Sequence, residues 1–303
     1  PVWFSLNHFK DDIMKDIRIL LAGNPNVGKT TLFNSLCGVH QHTGNYPGVT
    51  VEIKTGKRQM NDHSIIVSDL PGTYSLSAFT PDEQVARDAL LTSGPDAVVQ
   101  IIDATNIERN LFLTTQLMEI GLPVIIALNM CDLAEEQGIT IDADCLEKNL
   151  KIPVVRIVAR KGEGIEELIK TIIQVSTHKT PAVHRAIEYP HSVTSHISEI
   201  GNYLSAHASL LGSLSPYYAA IRLMEGDEHL EKMLHEKGLT IPFIDTSDSA
   251  ERDGIAEDIL LARYKTSEEI TTCSVKCTMG RVMPGDLVDQ VLTHRLFGIP
   301  IFL

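Results

Sequence analysis

A chain of 303 residues, 43% of them hydrophobic, is long enough for about two ordinary domains and apolar enough to bury a core, which excludes a disordered polymer. A formal net charge of −13 sets a nucleic-acid backbone at a disadvantage as partner, although a local cradle of amides can still hold one small nucleotide. The five cysteines (37, 131, 145, 273 and 277) are odd in number and scattered, so they make no disulfide framework and suit a reducing compartment. No basic flank with an apolar run behind it opens the chain, so no signal peptide is expected, and no stretch reaches the roughly 20 apolar residues of a membrane span.

Residues 1–14 fit neither a strand-turn nor a helix-cap pattern and read as an extension or remnant. From Asp16 to about Thr177, apolar runs alternate with amphipathic stretches. The runs predict strands at Ile17–Ala22, Val49–Lys54, Ile65–Ser68, Val98–Ile102, Val124–Leu128 and Val154–Val158. The intervening stretches predict helices at about Thr30–Cys37, Pro81–Leu91, Asn106–Ile120, Ala143–Leu150 and Ile165–Val175. One start is well marked: Thr80 as N-cap, Pro81 in the first turn, and Glu83 to close a capping box. This alternation predicts a doubly wound α/β sheet over residues 15–178. Near Thr180-Pro181 the strand signals stop. Ile197, Ile200, Leu204 and Leu211 sit at helical spacings, Ser215-Pro216 opens another helix, and Leu230, Met233 and Leu234 share a face ended by Gly238. A further helix is expected from Asp253 to about Tyr264. Residues 179–270 therefore read as a small all-α domain.

Gly23-Asn24-Pro25-Asn26-Val27-Gly28-Lys29-Thr30 has the G-x-x-x-x-G-K-[ST] spacing, follows a strand and opens a helix at Thr31. Its glycines let backbone N–H groups converge on phosphates at a helix N-terminus, where the dipole favours anions. Lys29 adds a point charge at the β- and γ-phosphates, and the Thr30 hydroxyl is a Mg²⁺ ligand. Asp69-Leu70-Pro71-Gly72, about forty residues on and at a strand end, supplies the metal-shell carboxylate of Asp69 and a γ-phosphate-sensing amide at Gly72. Asn129-Met130-Cys131-Asp132 follows the next suitable strand, and the Asp132 carboxylate can accept two hydrogen bonds from a guanine edge that adenine cannot offer. Between the first two motifs, Gly44-Asn45-Tyr46-Pro47-Gly48-Val49-Thr50 reads as a mobile loop with Thr50 as second Mg²⁺ ligand. Val158, Ala159 and Arg160, with Lys161 and Gly162 behind them, can back the base with main-chain amides. The catalytic candidates are Lys29, Asn26, Thr50 and Gly72, and the reaction is hydrolysis of GTP to GDP.

These motifs, together with Gly-Asn-Tyr-Pro-Gly-Val-Thr-Val-Glu, Asp-Leu-Pro-Gly-Thr-Tyr-Ser-Leu and Asp103-Ala-Thr-Asn-Ile-Glu-Arg-Asn-Leu, resemble the cytoplasmic part of the FeoB family of bacterial ferrous-iron transporters. The likeness covers about residues 15–303. It implies a GTPase domain, a helical domain that favours the GDP-bound form, and then a membrane permease at the cytoplasmic face of the inner membrane. It also implies an activating K⁺ held by Asn26 and by the loop around Gly44 and Tyr46. Met130 stands where many GTPases carry lysine, and Val158-Ala159 where many carry Ser-Ala. Thr73 follows Gly72 in place of the glutamine that elsewhere orients the attacking water, so slow intrinsic hydrolysis is expected.

Cys273 and Cys277 lie one helical turn apart, but two thiols without histidines are a weak metal signal. His40 and His42 are expected to face solvent, and Asp132 to Glu136 to form a solvated surface. Residues 271–303 read as a linker running into a first transmembrane helix: Leu287, Val288, Val291 and Leu292 are helically spaced, and the chain turns apolar after Arg295. On that reading the segment from Thr271 leaves the folded domains. A soluble GTPase acting in ribosome assembly or tRNA modification is the competing class, disfavoured by the acidic charge. No nucleic-acid partner is expected, and self-association into a homo-oligomer is left open.

Overall fold

Alternation along the first strand, β1 (Lys15–Gly23), decides the architecture: Ile17, Ile19 and Leu21 enter one hydrophobic layer while Leu20 and Ala22 enter the other. A strand buried on both faces demands cover on both, which is the doubly wound arrangement. The computed structural model describes residues 15–38, 41–45, 52–60, 62–77, 80–177, 184–241 and 249–277. Its main sheet runs in the order β2 (Gln41–Asn45), β3 (Glu52–Met60), β4 (His63–Asp69), β1, β5 (Ala97–Asp103), β6 (Val124–Asn129) and β8 (Val154–Arg156). From β4 to β8 the strands are parallel, and β2 and β3 form an antiparallel edge. Helices α1 (Lys29–Cys37) and α6 (Ile165–Thr177) cover one face; α2 (Pro81–Thr92), α3 (Ile107–Ile120) and α5 (Ala143–Leu150) cover the other. The capping box at Thr80 and Glu83 forms as its residues predict. Because β1 lies between β4 and β5, the direction of winding reverses at its carboxyl end, which opens a crevice there.

Three departures concern the edges. Gly44 and Asn45 belong to β2, paired with Ile53 and Glu52, where a loop was expected. Strand β3 runs on to Met60, because Thr55-Gly-Lys-Arg-Gln is a half-exposed strand whose polar residues imitate a turn. A short helix α4 (Cys131–Glu136) and a three-residue strand β7 (Ile139–Ile141) occupy the stretch read as acidic surface.

The helical domain comprises α7 (His191–Ser205), α8 (Ala208–Leu211), α9 (Pro216–Met224), α10 (Glu228–Glu236) and α11 (Ser249–Ser274). Ile197, Ile200, Leu204, Leu230 and Leu234 meet in its core as their spacing predicts. Ser215 caps α9, and Gly238 sits at φ 81° just past α10. Helix α11 is far longer than expected: 26 residues, about 39 Å. Ile259 packs in the helical core, whereas Ile270 packs in the core of the α/β domain. The small polar residues between them are a seam rather than a linker, since the Thr266 and Ser267 hydroxyls return to the Ala262 and Arg263 carbonyls at 2.8 and 3.0 Å. After α11, β9 (Val275–Cys277) pairs antiparallel with β7. The expectation that the chain leaves the folded domains at Thr271 therefore fails for residues 271–277, and residues 278–303 lie outside the described ones. Among the described residues no helix is long and apolar enough to cross a membrane.

A buried ionic cluster bolts the two domains together. Arg263 donates to Glu119 of α3 at 2.7 and 2.8 Å and to Glu225 at 3.1 Å, and the Tyr189 hydroxyl also donates to Glu119. Beside it, Arg222 holds Asp227 and Glu225 and reaches the Ser77 carbonyl at 3.3 Å, while Arg87 of α2 meets Asp227 at 2.9 Å. Burial works to raise the Glu225 and Asp227 carboxyls, yet the facing arginines hold both below the usual carboxylate range. Depressed folded values mean that this contribution is complete above the unfolded values, near about 4, and is lost as pH falls through the folded ones. Arg263→Ala strands Glu119 in a dry interior and should cost about 3–5 kcal/mol of unfolding free energy in urea titrations at neutral pH. The deficit relative to wild type should shrink as the pH is taken below about 4; an equal deficit at both pH values would show that packing, not charge, is at stake.

Candidate functional site

The crevice at the end of β1 is lined by the loop that joins it to α1. Gly28 takes φ 90° and serves as N-cap without a side-chain cap, so the first amides of α1 stay available to an anion. It must be glycine twice over: the conformation is left-handed, and a Cβ would collide with Asn129 Nδ2. Asn26 also sits at positive φ, 66°, and is exposed, as are Thr30 and Thr31, while Val27 anchors the loop in the core. Asn24 is buried, its Nδ2 donating to the Arg109 carbonyl at 3.4 Å.

Asp69 ends β4 in register with Leu21 of β1, which sets its carboxylate beside Lys29. Burial raises the Asp69 carboxyl against the pull of Lys29 and Lys54; burial likewise lowers the Lys29 ammonium against Asp69 and Asp82. Asp69 Oδ1 is buried without a hydrogen-bond partner in the described structure. The next turn lies directly over the loop. Thr73 N–H donates to the Gly23 carbonyl at 3.2 Å, and a Cβ on Gly72 would stand 3.1 Å from Pro25 Cα and 3.4 Å from Lys29 Nζ. Thr73 is buried and its hydroxyl donates to the Ser75 carbonyl, so it is committed to its own turn and does not replace a water-orienting glutamine.

On the other side of the loop stands the end of β6. Asn129 is buried and bridges two segments: Nδ2 donates to the Val27 carbonyl at 2.9 Å, and Oδ1 accepts from Ala159 N–H at 3.0 Å. The Ala159 amide is thus engaged by Asn129. Met130 turns through φ 62° to start α4, and the Asp132 carboxylate lies between Lys161 at 2.9 Å and Arg160 at 3.2 Å. The hydrogen bond from Lys161, seconded by Arg160, holds that carboxyl below its ordinary range.

The structure therefore brings Asn24, Lys29, Asp69 and Gly72 together on one side and Asn129, Met130, Asp132 and Val158 to Arg160 on the other, with Asn129 as the tie. Gly44 lies in β2; Tyr46 and Thr50 fall outside the described residues. Lys161 was read only for its main-chain amide, whereas its side chain pairs with Asp132, and Arg109 was given no role, because an arginine on a helix is unremarkable until the fold places it. Cys273 donates to its own Ile270 carbonyl at the end of α11, and no metal-holding group of three or more His, Cys, Asp or Glu side chains occurs among the described residues.

The burial of Asp69, with Oδ1 lacking a hydrogen-bond partner among the described residues, implies a cost in the nucleotide-free chain. Asp69→Asn should keep or raise its melting temperature, by about 2–4 °C for each kcal/mol of desolvation relieved. A drop of several degrees in differential scanning calorimetry would mean that attraction to Lys29 outweighs burial.

Known proteins resemble this chain over nearly its whole length. The family model described as ferrous iron transport protein B matches residues 17–172, and that of the FeoB cytosolic helical domain matches residues 189–276. The chain is 38% identical over 301 residues to an Fe(2+) transport protein A/Fe(2+) transporter FeoB fusion protein of Porphyromonas gingivalis, covering 95% of this chain and 35% of the relative. It is 37% identical over 297 residues to the Fe(2+) transporter FeoB of Salmonella choleraesuis, covering 96% and 37% respectively. The chain thus spans little more than a third of the length of these curated relatives. Among solved structures, the cytosolic domain of the T. maritima FeoB iron transporter in a GDP form superposes with a TM-score of 0.78 at 34% identity, over 86% of this chain and all of that one. The cytosolic domain of L. pneumophila FeoB gives 0.76 at 37% identity, over 86% and 99%. Its matches to both family models and its likeness to these structures show that the chain belongs to the FeoB family, as a P-loop G domain followed by a cytosolic helical domain.

Proposed function

We propose that the chain binds GTP, hydrolyses it slowly, and regulates a ferrous-iron permease to which it is joined at the cytoplasmic face of a bacterial inner membrane. On this reading residues 15–178 are the hydrolysing domain and 179–270 the domain that favours the GDP form, with α11 crossing between them. The observation that carries it is the gathering, around one glycine-rich loop, of a helix start without a side-chain cap, Lys29, the Asp69 carboxylate with its unpartnered Oδ1, and the Asp132 edge. Related structures support it, since the T. maritima FeoB cytosolic domain has been solved in GDP and GMPPNP forms. The acidic charge and both family matches disfavour a ribosome- or tRNA-directed GTPase.

Hydrolysis requires water to attack the γ-phosphorus while the bond to the bridging oxygen of GDP breaks. Lys29 and the α1 amides are placed to take up charge on the phosphates, and the Gly72 amide to meet the γ-phosphate. The lone Asp69 oxygen fits a Mg²⁺ shell shared with the Thr30 hydroxyl and Thr50, an ion that neutralises phosphate charge when bound. Asn26, with the Gly44 and Tyr46 carbonyls, is the candidate K⁺ site. Thr73, which follows Gly72, is turned into its own loop, which supports a slow intrinsic rate.

Base choice is the first test. Asp132→Asn should weaken GTP binding at least about tenfold and favour xanthosine nucleotides, since an acceptor becomes a donor. In the full-length protein in liposomes, XTP should then support Fe²⁺ uptake by the variant where GTP no longer does. Unchanged GTP affinity by calorimetry would remove Asp132 from the site.

Cation dependence is the second. Turnover should be faster in K⁺ than in Na⁺ buffer, and Asn26→Ala should abolish that difference while GDP affinity is kept. Equal rates in the two salts, or a K⁺ response that survives in Asn26→Ala, would refute the K⁺ assignment.

A further inference from the structure

The stretch Asp103 to Leu111 is distinctive in sequence, yet none of its side chains enters the site described above. Its fold is heavily organised. Asp103 Oδ1 accepts from both the Thr105 amide and hydroxyl, at 2.8 and 2.7 Å, holding a single turn of 3₁₀-helix before α3. Asn110 Nδ2 donates to the Asn106 carbonyl at 2.7 Å, and the Asn110 carbonyl accepts from buried Gln100 of β5 at 3.1 Å. The first turn of α3 is thereby fixed to the sheet from both ends. What this fixed turn presents is Arg109.

Arg109 makes two contacts that join parts of the site otherwise separate in sequence. Its carbonyl accepts from Asn24 Nδ2, inside the phosphate loop, at 3.4 Å. Its guanidinium stacks over the Tyr74 ring, 4.1 Å from the centroid. Tyr74 lies two residues beyond Gly72, in the segment that rests on Gly23, Pro25 and Lys29, and that segment's far end is held when Leu76 N–H donates to Gln116 of α3 at 2.8 Å. No carboxylate pairs with the Arg109 guanidinium among the described residues, and Tyr74 is 42% exposed, so neither side chain is held by a core. A cation over an aromatic face at an exposed site is a modest attraction. It is placed, however, on the few residues whose position decides whether the Gly72 amide meets a γ-phosphate.

We propose that Arg109 is a positioning residue: its stack on Tyr74 holds the segment after Asp69 against the phosphate loop in the arrangement that hydrolysis requires. The inference rests on the reading of the chain as a hydrolysing GTPase. It assigns a role to a residue outside the glycine-rich loop and the Asp69 turn, and it accounts for a long, charged side chain without an ion pair among the described residues. GDP lacks the group this segment senses, so GDP affinity is indifferent to the stack.

The test is a double-mutant cycle read by single-turnover hydrolysis and by the affinities of fluorescent GDP and a non-hydrolysable GTP analogue. Arg109→Ala and Tyr74→Ala should each slow hydrolysis by about two- to fivefold with GDP affinity unchanged, and the double variant should be no slower than the worse single. Tyr74→Phe, which keeps the ring, should restore the wild-type rate. Losses that multiply in the double variant, singles at the wild-type rate, or a Tyr74→Phe rate as low as Tyr74→Ala would overturn the proposal. Should the wild type bind GTP without turning it over, the hydrolytic reading fails by itself. The stack is then judged by the ratio of analogue to GDP affinity, which both single variants should lower equally and the double no further.

Discussion

Everything at the mouth of this sheet hangs on one buried amide. Asn129 bonds outward in both directions, through Nδ2 to the carbonyl of Val27 and through Oδ1 to the amide of Ala159. Only an amide can donate to one segment and accept from another with the same planar group; an aspartate would repel the Val27 carbonyl and a leucine would leave two buried polar groups unmet. Gly28 is the corollary, since the approach of Asn129 leaves no room for a Cβ there. The glycine-rich loop after β1, the turn after β6 and the Ala159 segment after β8 are therefore tied together at one side chain.

What could be read directly from the sequence was whatever depends on local chemistry. The phosphate loop is a strand, a glycine-permitted turn and a helix start in immediate succession, and the Thr80 capping box needs only four residues to declare itself. The parallel strands announced themselves because burial on both faces makes them continuously apolar. Elements set by distant partners were illegible. Strand β3 is polar because it lies near the sheet edge, and β7 and β9 are three residues each, meaningful only as a pair separated by more than a hundred positions. Asn129 was read as part of a base-binding motif, whereas its bridging role appears only when three loops are seen together. The Arg263 cluster draws its charges from α3, α9 and α11, and no window along the chain holds them at once.

The site's electrostatics run against the character of the whole. The chain is strongly acidic, yet at the phosphate loop the shifts of Lys29 and Asp69 have a common cause: burial that disfavours each in its charged form. A cation and an anion held side by side are thus both underhydrated there, each attracted by the other and each disfavoured by burial. Stability is given up locally in that arrangement, the usual relation between preorganised sites and folded cores. The interdomain cluster is the opposite case: there burial is answered by matched arginines, and the carboxyls are driven down instead of up.

Helix α11 converts these two regimes into one object. Its first half belongs to the helical core through Ile259, its middle to the ionic seam through Arg263, and its last turn to the α/β core through Ile270. The apolar contacts at the ends of α11 are non-directional, whereas the ion pairs of Arg263 in its middle fix its register against sliding. The ion pairs also fix the neighbours of the nucleotide side, for the same cluster reaches the Ser77 carbonyl, three residues past Tyr74. Beyond α11, β9 is hydrogen-bonded to β7, which follows the helix that opens at Met130 and carries Asp132. The chain thus departs from the base side of the crevice and not from the far end of the helical domain. Strand β9 ties the end of α11 to the segment that follows α4, and Arg222 ties the Ser77 segment to the ionic cluster. Contacts from the two sides of the crevice, one running from α4 through β7 and the other from Ser77 through Arg222 and Glu225, therefore meet at the one helix α11.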